Sequence, residues 1–557
     1  MSAVDNIVIV GGGSAGWMSA ATLITAFPEK NITVIEPEDI PIVGVGESTL
    51  GHIKNWTRFI GLDEKEFFAF TDASYKMSIK FTDFYKKDAG AFQYPFGCPE
   101  SLPERNPFLD WHLKKYYYPE TSVNDFVDCL FPSAALFEHN KFSLNLNGEF
   151  GSYNKENDVA YHFDAVKFGA WLKEKICLPR GVKQIASSVK KCKTGSNGIE
   201  SLILENKETV KADLFVDCTG FKSLLLGDAL KEPFTSFSDM LPNNNAWATH
   251  LPYKDKESEL EAFTNSTAIE NGWCWNIPLW SRIGTGYVYS DKFISDDEAL
   301  LEFKNYLQSD KMVIPRTEQE VEALKFKKIA IKTGIHERTF VKNVVAIGLS
   351  AGFVEPLESN GLFSVHEFLL KLVDILQRND ISQFDRDMYN VSVNDLFTNF
   401  AKFVALHYAL SHRDDTEYWR DIKSKQFGSF TQDPYFPYQG RTDAFYNLGW
   451  RYMDEWGHPE GNAGISYIAT GMNLFMMNSA RIKNIEHRNQ VDLKENITPL
   501  LQHWEIQKQK WKRAAESCPT LYQYLLDNFY NDNNDSKHTE NTKTNSTSAK
   551  FVQIGNR

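Results

Sequence analysis

Lys76 sits in the stretch Ser74-Tyr75-Lys76-Met77-Ser78-Ile79-Lys80-Phe81, where polar and apolar residues alternate. A period of two is that of a half-buried strand, which would put both lysines on the polar face. They are solvated there unless that face lines a cavity, where a desolvated amine loses basicity. A second candidate is Glu355-Pro356-Leu357-Glu358-Ser359-Asn360-Gly361, which runs into apolar residues at helical spacing from Leu362 to Leu376. Ser359 or Asn360 could cap that helix, and its free N–H groups would form an anion site. The plainer reading is a capped helix with two solvated acids. A third is Gly272-Trp273-Cys274-Trp275-Asn276-Ile277-Pro278. On a strand, Trp273, Trp275 and Ile277 share one face, either as a rigid apolar wall or as ordinary cross-strand packing.

These groups need a scaffold, and the N-terminus supplies its signature. Ile7 to Val10 and Ile32 to Ile35 read as buried parallel strands, with a helix from Trp17 to Phe27 between them. Gly11, Gly13 and Gly16 form GxGxxG in the first turn, and Glu36 ends the second strand. The glycines allow the tight turn, the backbone's approach to a pyrophosphate and close helix–strand packing, with Ser14 and Ala15 at the helix start. Glu36 can accept hydrogen bonds from ribose hydroxyls. Asp213 to Asp217 and Val344 to Ile347 each end in a glycine turn and predict two more strands of the same sheet. The predicted fold is α/β, an FAD-binding Rossmann-like, hydroxylase-type flavoprotein fold. It carries an inserted antiparallel sheet around residues 271–290 and a mostly helical C-terminal substrate module. The expected division is an FAD-binding module over 1–375, a helical module over 376–530 interrupted by an aromatic loop at 433–446, and a polar, disordered tail over 531–557.

Composition narrows the partners. A formal charge of -13 without a basic stripe argues against nucleic acid. The seven Cys, at 98, 129, 177, 192, 218, 274 and 518, form no CxxC pair, so neither a disulfide framework nor a metal site is expected. With no signal peptide or transmembrane stretch apparent, the expectation is a cytoplasmic protein without membrane contact. Aromatic residues make up 14% of 557. That excludes a mostly disordered chain and leaves open whether the rings fill cores or face a flat ligand.

Taken together, the motifs resemble the flavin-dependent halogenases of the tryptophan-halogenase type. The N-terminal glycine block is Asn6 to Trp17, a GVGE(A/S)T block is Gly44 to Thr49, and the lysine strand is Tyr75 to Phe81. HFDA stands at His162 to Ala165, WxWxIP at Trp273 to Pro278, EPLES-x-G at Glu355 to Gly361 and RDDTxxW at Arg413 to Trp419. The resemblance implies that reduced FAD from a separate flavin reductase forms a flavin hydroperoxide with O2. A halide ion then becomes hypohalous acid, which travels to a separate pocket and halogenates an electron-rich aromatic ring. It further implies Lys76 as the catalytic lysine and Glu358 as its partner carboxylate. Asn360 and Gly361 would hold chloride or bromide by backbone N–H groups. Trp273 and Trp275 would part flavin from substrate. Glu47, Ser48, Leu349 and Leu362 would join the glycine turn and Glu36 at the flavin. A homodimer is compatible with the resemblance.

Two departures concern the substrate. In Phe92-Gln93-Tyr94-Pro95-Phe96-Gly97, Tyr94 replaces the family's indole-stacking histidine, while Phe96 is kept. The segment that grips free tryptophan's amino and carboxylate groups is not recognisable around 440–462. An indole, a phenol or a larger aromatic compound is therefore as good a substrate as free tryptophan. Asn360 stands where tryptophan-specific members usually have Thr, which bears on halide preference. A flavin-dependent aromatic monooxygenase is the alternative, and a non-catalytic flavin-binding protein the third reading.

Overall fold

The computed structural model describes residues 4–37, 47–103, 105–378, 380–431, 463–474 and 479–531. The opening unit forms as its pattern predicts. Strands Asn6–Val10 and Asn31–Glu36 pair in parallel, with Ile7 opposite Ile32 and Val10 opposite Ile35. The helix between them, Ser14–Ala26, starts earlier than Trp17 because its N-cap is Gly13, inside the glycine turn. Leu214–Asp217 pairs in parallel with the first strand and Val344–Ala346 with Leu214–Asp217. The six-stranded sheet is completed by Lys183–Ala186 at one edge and Phe340–Val341 at the other. Covered on both faces, its central strands are apolar runs rather than alternating ones.

Two glycines make the turn possible. Gly11 has φ +111°, and a Cβ there would overlap the Cys218 carbonyl oxygen of the neighbouring strand's turn. A Cβ on Gly16 would overlap the Gly11 carbonyl oxygen. The helix therefore rests directly on the strand it follows.

A second sheet of seven strands is mostly antiparallel. Its order is Lys327–Ala330, Asn245–Leu251, Ile283–Tyr289, Gly272–Pro278, Phe263–Ile269, Ser78–Thr82 and Ala91–Pro95. Gly272–Pro278 and Ile283–Tyr289 form the antiparallel pair expected near 271–290.

The lysine stretch departs from the single half-buried strand its alternation predicts. It breaks at Met77 into Ser74–Lys76, which pairs with Ala160–His162, and Ser78–Thr82, which belongs to the seven-stranded sheet. At the break, the Met77 N–H donates to the Ala262 carbonyl and its carbonyl accepts from the Phe96 N–H. Both faces of the stretch are thereby covered: Ser74, Lys76 and Ser78 are as buried as Tyr75 and Met77, and only Lys80 is part-exposed.

Beyond the first sheet the described chain is mainly helical, from Gly361–Leu376 and Gln383–Ala409 to Leu493–Glu516. One apolar core runs from Val4 to Leu525 and includes these helices. The last turn returns to the site region. Tyr530 Oη donates to the carbonyls of Phe68 and Ala73, at 2.8 Å each, and its ring stacks on Trp280 at 4.0 Å. The aromatic loop at 433–446, Gly44 to Gly46, Gly461, Asn462 and the tail after Asn531 lie outside the described residues. Among the described residues no helix is long and apolar enough to cross a membrane.

Gly16→Ala should lift the helix from its strand, lowering the unfolding free energy in urea by about 3 kcal/mol. An unchanged midpoint would contradict this packing.

Candidate active site

The buried amine of Lys76 is the centre of the site. Its Nζ donates to Ser359 Oγ at 2.7 Å, Ser48 Oγ at 2.9 Å and the Thr49 carbonyl at 3.0 Å. Three neutral acceptors satisfy an ammonium's three donors, yet none of them carries a compensating charge. Burial pushes the Lys76 pKa well below the usual lysine range, opposed by the charge of Glu358. The amine also lies 5.1 Å from the Phe96 ring centroid.

The acceptors arrive from separate segments. Ser48 and Thr49 belong to an extended stretch held against Ala160–His162, where the Thr49 N–H donates to the Tyr161 carbonyl and the Phe163 N–H to the Glu47 carbonyl. Ser359 follows the short helical turn Pro356–Glu358 with φ +57°. That left-handed conformation costs a residue with a Cβ roughly 1 kcal/mol. It brings the Ser359 hydroxyl to Lys76 instead of leaving it to cap the next helix.

Glu358 is buried, and burial raises its pKa against the lowering effects of His407 and Lys76. His407 Nε2 stands 2.6 Å from Glu358 Oε1, at ion-pair distance though not aligned as a hydrogen bond. His407 Nδ1 faces the Phe403 and Val404 carbonyls at 3.1 and 3.2 Å, so it carries a hydrogen. Nε2 is therefore the ring nitrogen that faces Glu358. Tyr94 lies on the same side: its phenol senses the Glu358 charge, and its ring packs edge-on against Phe403 and Tyr467.

Trp273 and Trp275 form a continuous wall, their ring centroids 6.1 Å apart. Trp275 has room because Gly286 faces it across the strands; a Cβ there would overlap its ring. Trp273 is fixed by Glu355, whose Oε2 accepts from Trp273 Nε1 at 3.1 Å, Tyr408 Oη at 2.9 Å and Asn243 Nδ2 at 2.8 Å. Glu355 is fully buried and its Oε1 has no hydrogen bond. Burial raises its pKa against those three donors. Of the two readings of this segment, the one with two solvated acids does not hold: Glu355 anchors Trp273, and Glu358 is buried where its charge acts on Lys76.

A dinucleotide fits the glycine turn. Gly11 to Ala15 are part-exposed, and no side chain caps the helix Ser14–Ala26, so its first N–H groups face outward. Ser14 Oγ donates to the Ala165 carbonyl. Gly348 brings the turn carrying Leu349 against Ala15, since a Cβ on Gly348 would lie 2.8 Å from the Ala15 methyl. Glu36 accepts from Trp17 Nε1, Lys173 Nζ and Gln184 Nε2, which leaves its carboxylate room for about one further donor. Glu47 pairs with Arg282, which also holds Asp164; burial raises its pKa and Arg282 opposes this.

Asn360 occupies the N-cap position of Gly361–Leu376, but its side chain caps nothing, and its buried Oδ1 has no hydrogen bond. Gly361 is exposed beside it with open space where a Cβ would project, and Leu362 is buried behind. This uncapped helix start fits an anion.

Sequence pattern alone passed over Thr264, His407, Asn243 and Tyr408. Each is a single residue in an ordinary strand, loop or helix, and no local signal marks it. Its meaning comes from a partner distant in sequence.

Comparison with known proteins shows what the chain as a whole is similar to. A family model described as tryptophan halogenase matches residues 6–447. Tryptophan 6-halogenase SttH of Streptomyces toxytricini is 35% identical over 442 residues, covering 76% of this chain and 81% of that protein. Tryptophan 7-halogenase RebH of Lentzea aerocolonigenes is 33% identical over 443 residues, covering 77% and 81%. Among solved structures, apo VirX1 superposes with a TM-score of 0.84 at 34% identity, covering 95% of this chain and 99% of that one. SttH superposes at 0.78 with 30% identity, covering 94% and 99%.

Glu355→Gln tests the buried acid. Because burial raises the folded-state pKa, the Glu355 side chain favours folding most when protonated, below its unfolded value of about 4.3. That contribution is lost as pH rises through the raised folded value. Urea titrations should show wild type losing stability relative to Glu355→Gln above about pH 4.3; a constant difference would contradict the raised pKa.

Proposed function

The chain belongs to the tryptophan halogenase family of flavin-dependent halogenases, and on that premise we propose that it chlorinates or brominates an electron-rich aromatic substrate, an indole among them. The observation that carries the reading is the lysine cage: a desolvated amine beside Phe96 that feels the charge of the buried Glu358.

Reduced FAD, delivered by a flavin reductase, supplies with O2 the oxidant that turns a halide ion into hypohalous acid. Gly11, Gly13, Ser14, Ala15 and Gly16 would hold its pyrophosphate by backbone N–H groups and Glu36 a ribose, and Ser48, Glu47, Leu349 and Leu362 would frame the remainder of the site. The amides of Asn360 and Gly361 hold the halide at the start of their helix. Trp273 and Trp275 keep the aromatic substrate from the flavin, which disfavours direct ring oxygenation and so the monooxygenase alternative. Lys76 takes up the oxidant, either as a hydrogen-bond donor or as an amine that carries the halogen, and aims an otherwise unselective reagent. At the ring the C–X bond forms, and the C–H bond breaks with its electron pair restoring aromaticity. The proton goes to Glu358, with His407 behind it. Hydroxide from the hypohalous acid takes a proton from the Lys76 nitrogen and leaves as water, and the ring proton received by Glu358 replaces the one Lys76 gave up. Tyr94 and Phe96 offer flat surfaces for the substrate ring. Tryptophan is the substrate in the names of SttH and RebH. For this chain an indole or phenol without the amino-acid group serves equally, since Tyr94 stands where the family stacks a histidine.

Supplied with FAD, reductase, NADH, O2 and bromide, the protein should convert indole to bromoindole, identified by its isotope doublet in mass spectrometry. Lys76→Ala should bind FAD unchanged and form at most about one hundredth of the product. Halogenation undiminished in that variant would remove Lys76 from the mechanism, and ring hydroxylation without halogenation would favour the monooxygenase.

A further inference from the structure

His162 opens the His162–Ala165 block, yet the chemistry above gives it no task. It ends the strand Ala160–His162, opposite Ser74, and is fully buried. Its Nε2 lies 2.8 Å from Thr264 Oγ1, and Thr264 Oγ1 lies 2.8 Å from Ser48 Oγ. Ser48 Oγ in turn receives Lys76 Nζ at 2.9 Å. The four side chains come from four chain segments, and none is more than 7% exposed.

Donor counting gives this chain a direction. An ammonium can only donate, so Ser48 accepts from Lys76. Ser359 Oγ, which also accepts from Lys76, lies 3.0 Å from Ser48 Oγ and can donate to it, which leaves the Ser48 hydrogen for Thr264 and the Thr264 hydrogen for the Nε2 lone pair. With Nε2 accepting from Thr264, the neutral ring carries its hydrogen on Nδ1. The result is an unbroken run, N–H to O–H to O–H to ring nitrogen, with every link at hydrogen-bond distance.

We infer that His162 is the proton store of Lys76, reached through the Ser48 and Thr264 hydroxyls. The inference rests on the reading of Lys76 as the amine that receives the halogen, because an ammonium has no lone pair to offer. In the transfer one N–H bond of Lys76 breaks. Ser48 and Thr264 each gain one proton and pass on another, and a new N–H bond forms at His162 Nε2. Ammonium and imidazole become amine and imidazolium, the net charge is unchanged, and no redox partner is needed. Burial lowers the pKa of His162, as does the nearby charge of Lys76, which disfavours the imidazolium and so favours return of the proton. The other titratable or charged groups around the run are Glu358 with His407 behind it, Tyr94, and the Glu47–Arg282–Asp164 cluster that flanks Ser48 and His162 along their segments.

The test uses the holoenzyme with reductase, bromide and indole, assayed across pH in wild type, His162→Gln, Thr264→Val, their double variant and Thr264→Ser. Flavin fluorescence and thermal melting confirm that each variant folds and binds FAD. Breaking the run should lower kcat about tenfold at about pH 7, with KM for indole unchanged, and the deficit should narrow to about twofold at about pH 9, where free base is plentiful. The double variant should be no worse than either single one, and Thr264→Ser, which restores the hydroxyl, should recover the wild-type profile. If His162→Gln does not fold, Thr264→Val and its Ser rescue carry the test. Wild-type rates at every pH, an equal loss at every pH, or an effect in only one of the two single variants would each overturn the proton store. Lys76→Ala is assayed alongside. Activity retained there overturns the lysine reading and the store with it, whereas an inactive Lys76→Ala beside pH-independent relay variants overturns the store alone.

Discussion

Everything in the site depends on keeping a lysine amine out of water without pairing it directly to a carboxylate. The three oxygens around Lys76 Nζ satisfy its hydrogen bonds, while Glu358 acts on it only through its charge. A direct salt bridge would hold the amine protonated, and an unpaired amine would bear the full desolvation penalty. The cage lies between these extremes and leaves the lone pair recoverable.

Building such a cage requires the chain to change ladders at Met77. With Ser74–Lys76 in a two-stranded sheet and Ser78–Thr82 in the seven-stranded one, the lysine falls at the junction. There it is reached by the Ser48 segment on one side and the turn before Gly361–Leu376 on the other. The left-handed Ser359 spends conformational energy to complete that contact. The tryptophan wall is tied to the same turn, since Glu355 fixes Trp273 while Glu358 faces the lysine. One short segment thus fixes Trp273 and places Glu358 beside the lysine region.

The dinucleotide end and the halogenating end obey different rules. At the glycine turn the geometry follows from what is missing: Cβ atoms at Gly11 and Gly16 would collide with backbone, so their absence admits the helix against the strand. At the lysine, function follows from partners gathered from distant parts of the chain. This difference explains which parts of the protein could be read directly. The βαβ unit, its glycines and the Trp273–Trp275 face were legible because local period and spacing determine them. Local pattern left open whether the acids at 355 and 358 are solvated or buried, because only neighbours brought by folding reveal their burial.

By itself, the sequence determined the parallel sheet with its dinucleotide turn, the same-face tryptophans and, through its ordered motifs, the family. Hydrophobic period and glycine placement act over a few residues and survive in the linear chain. The tertiary structure alone decided that Lys76 is buried rather than solvated, that Ser359 serves the lysine rather than a helix cap, and that His407 stands behind Glu358 and His162 beyond Thr264. A lysine's basicity and a histidine's role are set by desolvation and by groups far away in sequence, and those exist only once the two sheets and the long helix have packed together.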